Sequence, residues 1–187
     1  MNLRVAVLVL MGLVLPNAAS AVEFGAVQND KSTLAFGYKQ MGVSMEGRFR
    51  KFAVQMSFDA ARPGAAKAAI DVDLASIDTG SSEGDDEVAG KLWFNTKAFP
   101  TARFVSKAVQ PLGGNRYEVS GTLTIKGHTQ NVSAPFTFAP QGGTAVFEGA
   151  FTLKRADFAI GEGSWADFGT VANEIQIKFH ILASAGK

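Results

Sequence analysis

The sequence predicts an all-β domain of eight antiparallel strands, and three observations carry that expectation. Apolar and polar residues alternate with a period of two through eight separate stretches, the pattern of strands with one buried face. Short Gly-containing turns separate most of these stretches, so sequence neighbours should pair antiparallel. Fifteen residues are Phe, against two Trp and two Tyr, and they are spread over nearly every stretch.

Taken in order, the first predicted strand is Thr33–Lys39, with Leu34, Phe36 and Tyr38 on one face. Arg50–Phe58 follows with Phe52, Val54, Met56 and Phe58, and then Lys67–Leu74 with Ala68, Ile70, Val72 and Leu74. Met41–Arg48, which carries Gly42 and Gly47, reads as an irregular segment between the first two strands. Ser81–Lys91 breaks the alternation and reads as a short helix, capped by Ser81 or Ser82. Glu83, Asp85, Asp86 and Glu87 crowd its first turns, where negative charge complements the helix dipole.

Thr101–Val109 is the fourth strand, with Ala102 and Phe104 opposite Arg103 and Lys107. A Gly113-Gly114-Asn115 turn leads to Arg116–Ile125, whose Tyr117, Val119, Leu123 and Ile125 share a face. After the Lys126-Gly127 turn comes Gln130–Phe138 with Val132, Phe136 and Phe138. Thr144–Leu153 follows with Phe147, Phe151 and Leu153. Arg155–Gly169 is a long connection expected to pack over one end of the sheet. The last strand, Asn173–Leu182, sets Ile175, Ile177, Phe179 and Ile181 against polar neighbours. Closing eight such strands into a barrel removes the exposed edges, although a two-sheet sandwich satisfies the same alternation.

Met1–Ala21 reads as an export signal rather than as part of the domain. Arg4 precedes an apolar run from Val5 to Leu15, Pro16 breaks it, and Ala19-Ser20-Ala21 supplies small residues for cleavage after Ala21. The run is too short to span a membrane. The reading is therefore a signal peptide over 1–21, one β-barrel domain over 22–187, and a periplasmic location.

Composition excludes several activities. The whole chain has 18 Lys+Arg against 17 Asp+Glu, which gives no electrostatic footprint for nucleic acid. With no Cys there is no disulfide, thiolate metal site or Cys nucleophile, and two His leave little for a metal centre. Gly161-Glu162-Gly163-Ser164-Trp165 has its glycines in the wrong register for a nucleophile elbow. Asp71 and Asp73 share a face with Lys67 and read as solvated charges, and His128 and His180 read as surface residues. No catalytic residue, metal ligand or cofactor is assigned, and the chain is not read as an enzyme.

The Phe residues then admit two accounts, a filled core or the wall of a cavity for a long apolar guest. Phe offers apolar area without a hydroxyl that needs a partner. The candidate lining is Phe36, Tyr38, Phe52, Ile70, Val72, Phe104, Leu123, Phe136, Phe147, Phe151 and Phe179, with Trp93, Phe94 and Trp165 from the two irregular segments at a mouth.

The order and spacing of several motifs add a resemblance. They are Ser32-Thr33-Leu34-Ala35-Phe36, Met41-Gly42-Val43-Ser44 with Gly47-x-Phe49-x-x-Phe52, and Ser76-Ile77-Asp78-Thr79-Gly80. Trp93-Phe94-Asn95 follows with Ala98-Phe99-Pro100-x-Ala102-x-Phe104, then Tyr117-x-Val119-x-Gly121-x-Leu123-Thr124-Ile125-Lys126-Gly127. Arg155-Ala156-Asp157-Phe158-Ala159-Ile160-Gly161 and Val171-Ala172-Asn173-Glu174-Ile175 complete the set. Together these resemble the YceI-like family of exported polyisoprenoid-binding proteins, over essentially the whole mature chain.

The resemblance implies a lipocalin-like antiparallel barrel with a helix inserted between the third and fourth strands. It also implies a tunnel for a polyisoprenoid such as an isoprenoid quinone. Trp93 with Gly163-x-Trp165 is similar to members associated with b561-type membrane cytochromes, which implies such a cytochrome as a partner. A homodimer stays open. The chain departs from the family pattern at Lys39-Gln40 and at Glu83-Gly84-Asp85-Asp86-Glu87-Val88, where many members carry His. Arg155 and Asp157 admit two readings, as ligand contacts or, the favoured one, as a guanidinium and a carboxylate that together close the loop over the barrel end.

Overall fold

The computed structural model describes residues 22–186, so the expected leader and cleavage site lie outside the described residues. Eleven strands form one sheet that closes on itself. They are β1 (Glu23–Val27), β2 (Thr33–Gln40), β3 (Val43–Phe49), β4 (Phe52–Asp59), β5 (Lys67–Asp73) and β6 (Ile77–Asp78). The short helix α1 (Ser82–Ala89) comes next. Then follow β7 (Thr101–Gly113), β8 (Arg116–Ile125), β9 (His128–Gln141), β10 (Thr144–Lys154) and β11 (Glu174–Ala185).

These eleven segments make eight staves. β1 and β2 both lie along the same edge of β11, β1 against Ala183–Ala185 and β2 against Gln176–His180. β4 pairs with β1, while β3 pairs with β2. β5 and β6 likewise share a stave, pairing with β4 and β3. The remaining staves are β7 to β11, each antiparallel to the one before it. The ring is therefore an eight-stave up-and-down barrel, and the sandwich alternative does not hold.

The segment expected to be irregular, Met41–Arg48, is mostly strand β3. Met41 and Gly42 both take positive φ, 49° and 82°, and form the tight turn that joins β2 to β3. Lys126 and Gly127 do the same between β8 and β9, at 50° and 78°. α1 begins as the sequence indicates, with the Ser81 hydroxyl accepting from the Gly84 N–H at 3.1 Å. Its acidic residues do more than complement a dipole. Asp85 turns back to accept from the N–H and hydroxyl of Thr79 at 2.7 and 2.8 Å, fixing the helix to the end of β6. On the outer face, Asp71 accepts from Arg103 at 2.7 Å, while Asp73 caps the turn after β5 through the Ala75 N–H.

The interior has two halves. One end is a solid aromatic plug centred on Phe58, whose ring lies 4.9 Å from Phe138, 5.1 Å from Phe147 and 5.2 Å from Tyr117. Phe24 and Phe136 complete it. The other half is lined by Leu34, Val72, Leu123 and Leu153 and is covered by Phe158, Ile160 and Val171 from the connection before β11. Phe58 is 2% exposed and holds the plug, so Phe58→Ala should cost about 3–5 kcal/mol. Denaturant titration should show a lower midpoint with an unchanged slope.

Candidate functional site

Between the plug and the covering connection lies a cavity of about 650 Å³. That is within the roughly 300–1,000 Å³ of typical ligand pockets. Its wall is almost wholly apolar. Polar residues join it at the ends: Thr79, Ser81, Glu83 and Glu87 before and along α1, with Gln40 and Arg155, and Ser57 and Lys67 at the outer end of the β4–β5 pairing.

Glycines keep this space open. Gly47 faces the Phe36 ring directly across β3 and β2, and Gly149 faces Phe179 across β10 and β11. Gly121 on β8 lies beneath the Phe104 ring. A Cβ at any of the three would overlap the ring, so each Phe lies along the wall only because the facing residue has no side chain. Rings that lie along the wall leave the lumen free.

Of the fourteen residues put forward from sequence, thirteen line this cavity: Phe36, Tyr38, Ile70, Val72, Trp93, Phe94, Phe104, Leu123, Phe136, Phe147, Phe151, Trp165 and Phe179. They divide by role. Phe136 and Phe147 are buried in the plug and face the cavity at its floor. Phe52 departs from the expectation. It is absent from the lining and packs, half-buried, against both halves of the core. Lining residues absent from the sequence reading include Met45 and Phe49 on β3. Their alternation is present in Val43–Phe49, interrupted by the Gly47 that the Phe36 ring requires.

The covering connection is organised by Arg155, which is 1% exposed. All five of its N–H groups are spent on backbone carbonyls. Nε donates to Ala172 at 3.2 Å. Nη1 donates to Ile160 and Gly161, and Nη2 to Trp165 and Val171, each at 2.8 Å. The guanidinium also lies over the rings of Trp93 at 5.5 Å and Phe168 at 5.1 Å. Among the described residues no carboxylate reaches it, and burial draws its pKa below the ordinary arginine value. Asp157 is exposed and does not pair with Arg155; its carbonyl accepts from Gln130 at 3.0 Å. The expected partnership of the two at the loop is therefore corrected to Arg155 alone. Gly161, at φ 76°, has no room for a side chain beside the guanidinium.

Backbone hydrogen bonds join this cover to Leu92, Lys39 and Met41, and beside them and the Gln130 contact two side-chain ties fasten it to the rest of the barrel. Lys126 is buried and donates to the Ala159 carbonyl at 2.6 Å and to Glu162 at 2.8 Å. Trp165 Nε1 donates to Glu87 on α1 at 2.6 Å, and the Trp165 ring lies 5.4 Å from Trp93. Trp93 is buried, and among the described residues its own N–H has no partner. Burial, and then the charge of Asp85, raise the pKa of the Tyr38 phenol, so it stays protonated on the wall. His128 is exposed, and His180 faces outward 3.9 Å from Glu148; neither lines the cavity.

The family model for the YceI-like domain matches residues 26–183, nearly all of the barrel. The chain belongs to the YceI-like family. BcnA of Burkholderia cenocepacia is 46% identical with a TM-score of 0.83, covering 84% of this chain and 99% of its own. A UPF0312 protein of Azotobacter vinelandii is 33% identical over 149 residues, 76% of each chain. A polyisoprenoid-binding domain from Saccharophagus degradans, implicated in plant cell wall breakdown, shares the fold at a TM-score of 0.67 and 16% identity. That match covers 89% of this chain and 99% of the domain. No helix among the described residues is long and apolar enough to cross a membrane.

Lysine has three donors for the five carbonyls that Arg155 satisfies, so Arg155→Lys leaves at least two without a partner. The cost should be about 2–5 kcal/mol, with hydrogen exchange accelerated first in residues 156–172. A milder test uses pH. The hydrogen bond and charge of Lys126 hold Glu162 below its ordinary 4.5. The Lys126–Glu162 tie is then at full strength above that value and is lost as pH falls through the depressed one. Protection factors of the 156–165 amides, corrected for intrinsic exchange at each pH, should fall over that acidic window in the native protein. In Glu162→Gln that pH dependence should be absent.

Proposed function

We propose that the protein is a periplasmic binding protein that holds an amphiphilic polyisoprenoid, such as an isoprenoid quinone, inside the barrel. The observation that carries this reading is the open, ring-walled cavity between the Phe58 plug and Trp93. Its lining is suited to a hydrocarbon chain, with polar groups only at the ends. Burying roughly 500 Å² of tail at ~25 cal/mol per Å² contributes about 12 kcal/mol. After association costs of about 4 kcal/mol, that supports micromolar affinity.

Family membership supports the same reading, as does the fold shared with the polyisoprenoid-binding domain of Saccharophagus degradans. The leader over Met1–Ala21 supports the location. A carrier rather than a catalyst accounts for both His residues lying off the cavity. A b561-type membrane cytochrome is the partner to which such a carrier would present its quinone.

Delipidated protein titrated with polyprenyl quinones of increasing tail length should show saturable uptake at micromolar concentration. Phe104→Trp should shift the preference toward shorter tails, because the larger ring over Gly121 takes up lumen volume. Absence of saturable uptake for every tail length would sink the carrier reading. An unchanged length preference in the variant would remove Phe104 from the lining.

A further inference from the structure

Trp93, a residue of the cavity wall, carries a buried polar atom that the fold leaves unused. Trp93 is 7% exposed, lines the cavity, and among the described residues carries the one buried side-chain N–H without a hydrogen-bond partner. A buried donor left unsatisfied costs about 1–3 kcal/mol, and native folds rarely leave one. The second Trp makes the contrast. Trp165, 5.4 Å away ring to ring, spends its N–H on Glu87. The structure thus satisfies one indole with its own carboxylate and leaves the other for something that is not part of the chain.

We infer that Trp93 Nε1 is the head-group donor of the cavity, and that the ligand it selects has an uncharged head bearing a hydrogen-bond acceptor, such as a ring carbonyl oxygen. This deepens the binding reading and rests on it. Three features fix the charge and polarity of the head. Arg155 lies over the Trp93 ring as a buried cation without a carboxylate in reach, so a cationic head is repelled there. An anionic head beside Trp93 would lie toward the Glu83 and Glu87 end of the cavity, away from Lys67 at the other, and would give up its hydration for an apolar wall. Arg155 has no N–H left to compensate it, since all five are taken by carbonyls.

A neutral acceptor meets neither penalty. It gains the Trp93 N–H together with the electropositive surroundings of the guanidinium, both of which favour an electronegative oxygen. The head then sits beneath the covering connection, beside Trp93 and Trp165, and the tail runs along the rings over Gly121, Gly47 and Gly149 toward the plug. Selectivity among equally apolar tails would come from this single bond.

The test compares two probes of matched tail, a polyprenyl benzoquinone and the corresponding polyprenyl hydrocarbon, on the full mature protein. Trp93→Phe should lower the ratio of quinone to hydrocarbon affinity by about tenfold, the loss of one hydrogen bond in an apolar site. A second variant, in which benzothiophene replaces the Trp93 indole, keeps the ring's shape and removes only the N–H; it should lower the ratio similarly. In the native protein the indole N–H resonance of Trp93 should move downfield with the quinone but not with the hydrocarbon. That of Trp165 should hold in both cases. A ratio unchanged in both variants, with the native protein binding both probes, overturns the assignment of Trp93 while leaving the carrier reading intact. Failure of the native protein to bind either probe overturns both.

Discussion

Phenylalanine rings inside an eight-stave barrel can either meet at the axis or lie along the wall, and glycine positions on the facing strands decide which. Where the wall carries Gly47, Gly121 and Gly149, the rings of Phe36, Phe104 and Phe179 lie over bare backbone and the axis stays free. Where it carries Phe24, Tyr117, Phe136, Phe138 and Phe147, the rings converge on Phe58 and the axis is filled. One residue type thus supplies both a stable core and a container. The plug contributes the dense packing that a closed barrel needs, and the glycines keep that packing from extending along the whole lumen.

The cover over the open half depends on a different economy. A connection that pairs with a strand only at the Gln40–Val171 bridge leaves most of its carbonyls outside any ladder, and Arg155 gathers five carbonyls on one side chain. Such a buried cation would be costly alone; the carbonyl dipoles and the two aromatic rings take the place of a counter-ion. Lys126 and the Trp165–Glu87 bond then fasten this preformed cap to the β8–β9 turn and to α1. The cap is therefore organised from within by one side chain and joined by hydrogen bonds to β2, β9, α1 and the segment after α1.

Much of this is legible in the sequence, and the gaps have physical reasons. The eight alternating stretches correspond to the eight staves, and Ser81 marks the start of α1 because its hydroxyl is positioned to cap. β3 escapes because Gly47 occupies an inward slot, and that glycine exists to admit the Phe36 ring, a contact between strands that no local pattern announces. β1 escapes because it is five residues long and carries Gly25 at its centre. Ten of the fourteen proposed lining residues follow from alternation, since side chains on one face of a closed sheet share one interior, while Trp93, Phe94 and Trp165 lie in irregular segments that alternation does not reach. Whether that interior is empty does not follow from alternation, because it depends on where the rings turn. The carbonyl cage of Arg155 and the unpartnered N–H of Trp93 are likewise products of the folded connection alone.

The central claim is that the open half of the barrel is a container for an isoprenoid amphiphile. Mass spectrometry of the organic extract from protein purified in its folded state tests it most directly. A stoichiometric polyisoprenoid with a neutral, oxygen-bearing head is the predicted result. An extract without lipid, from protein that also fails to retain such a lipid supplied during purification, would contradict the account.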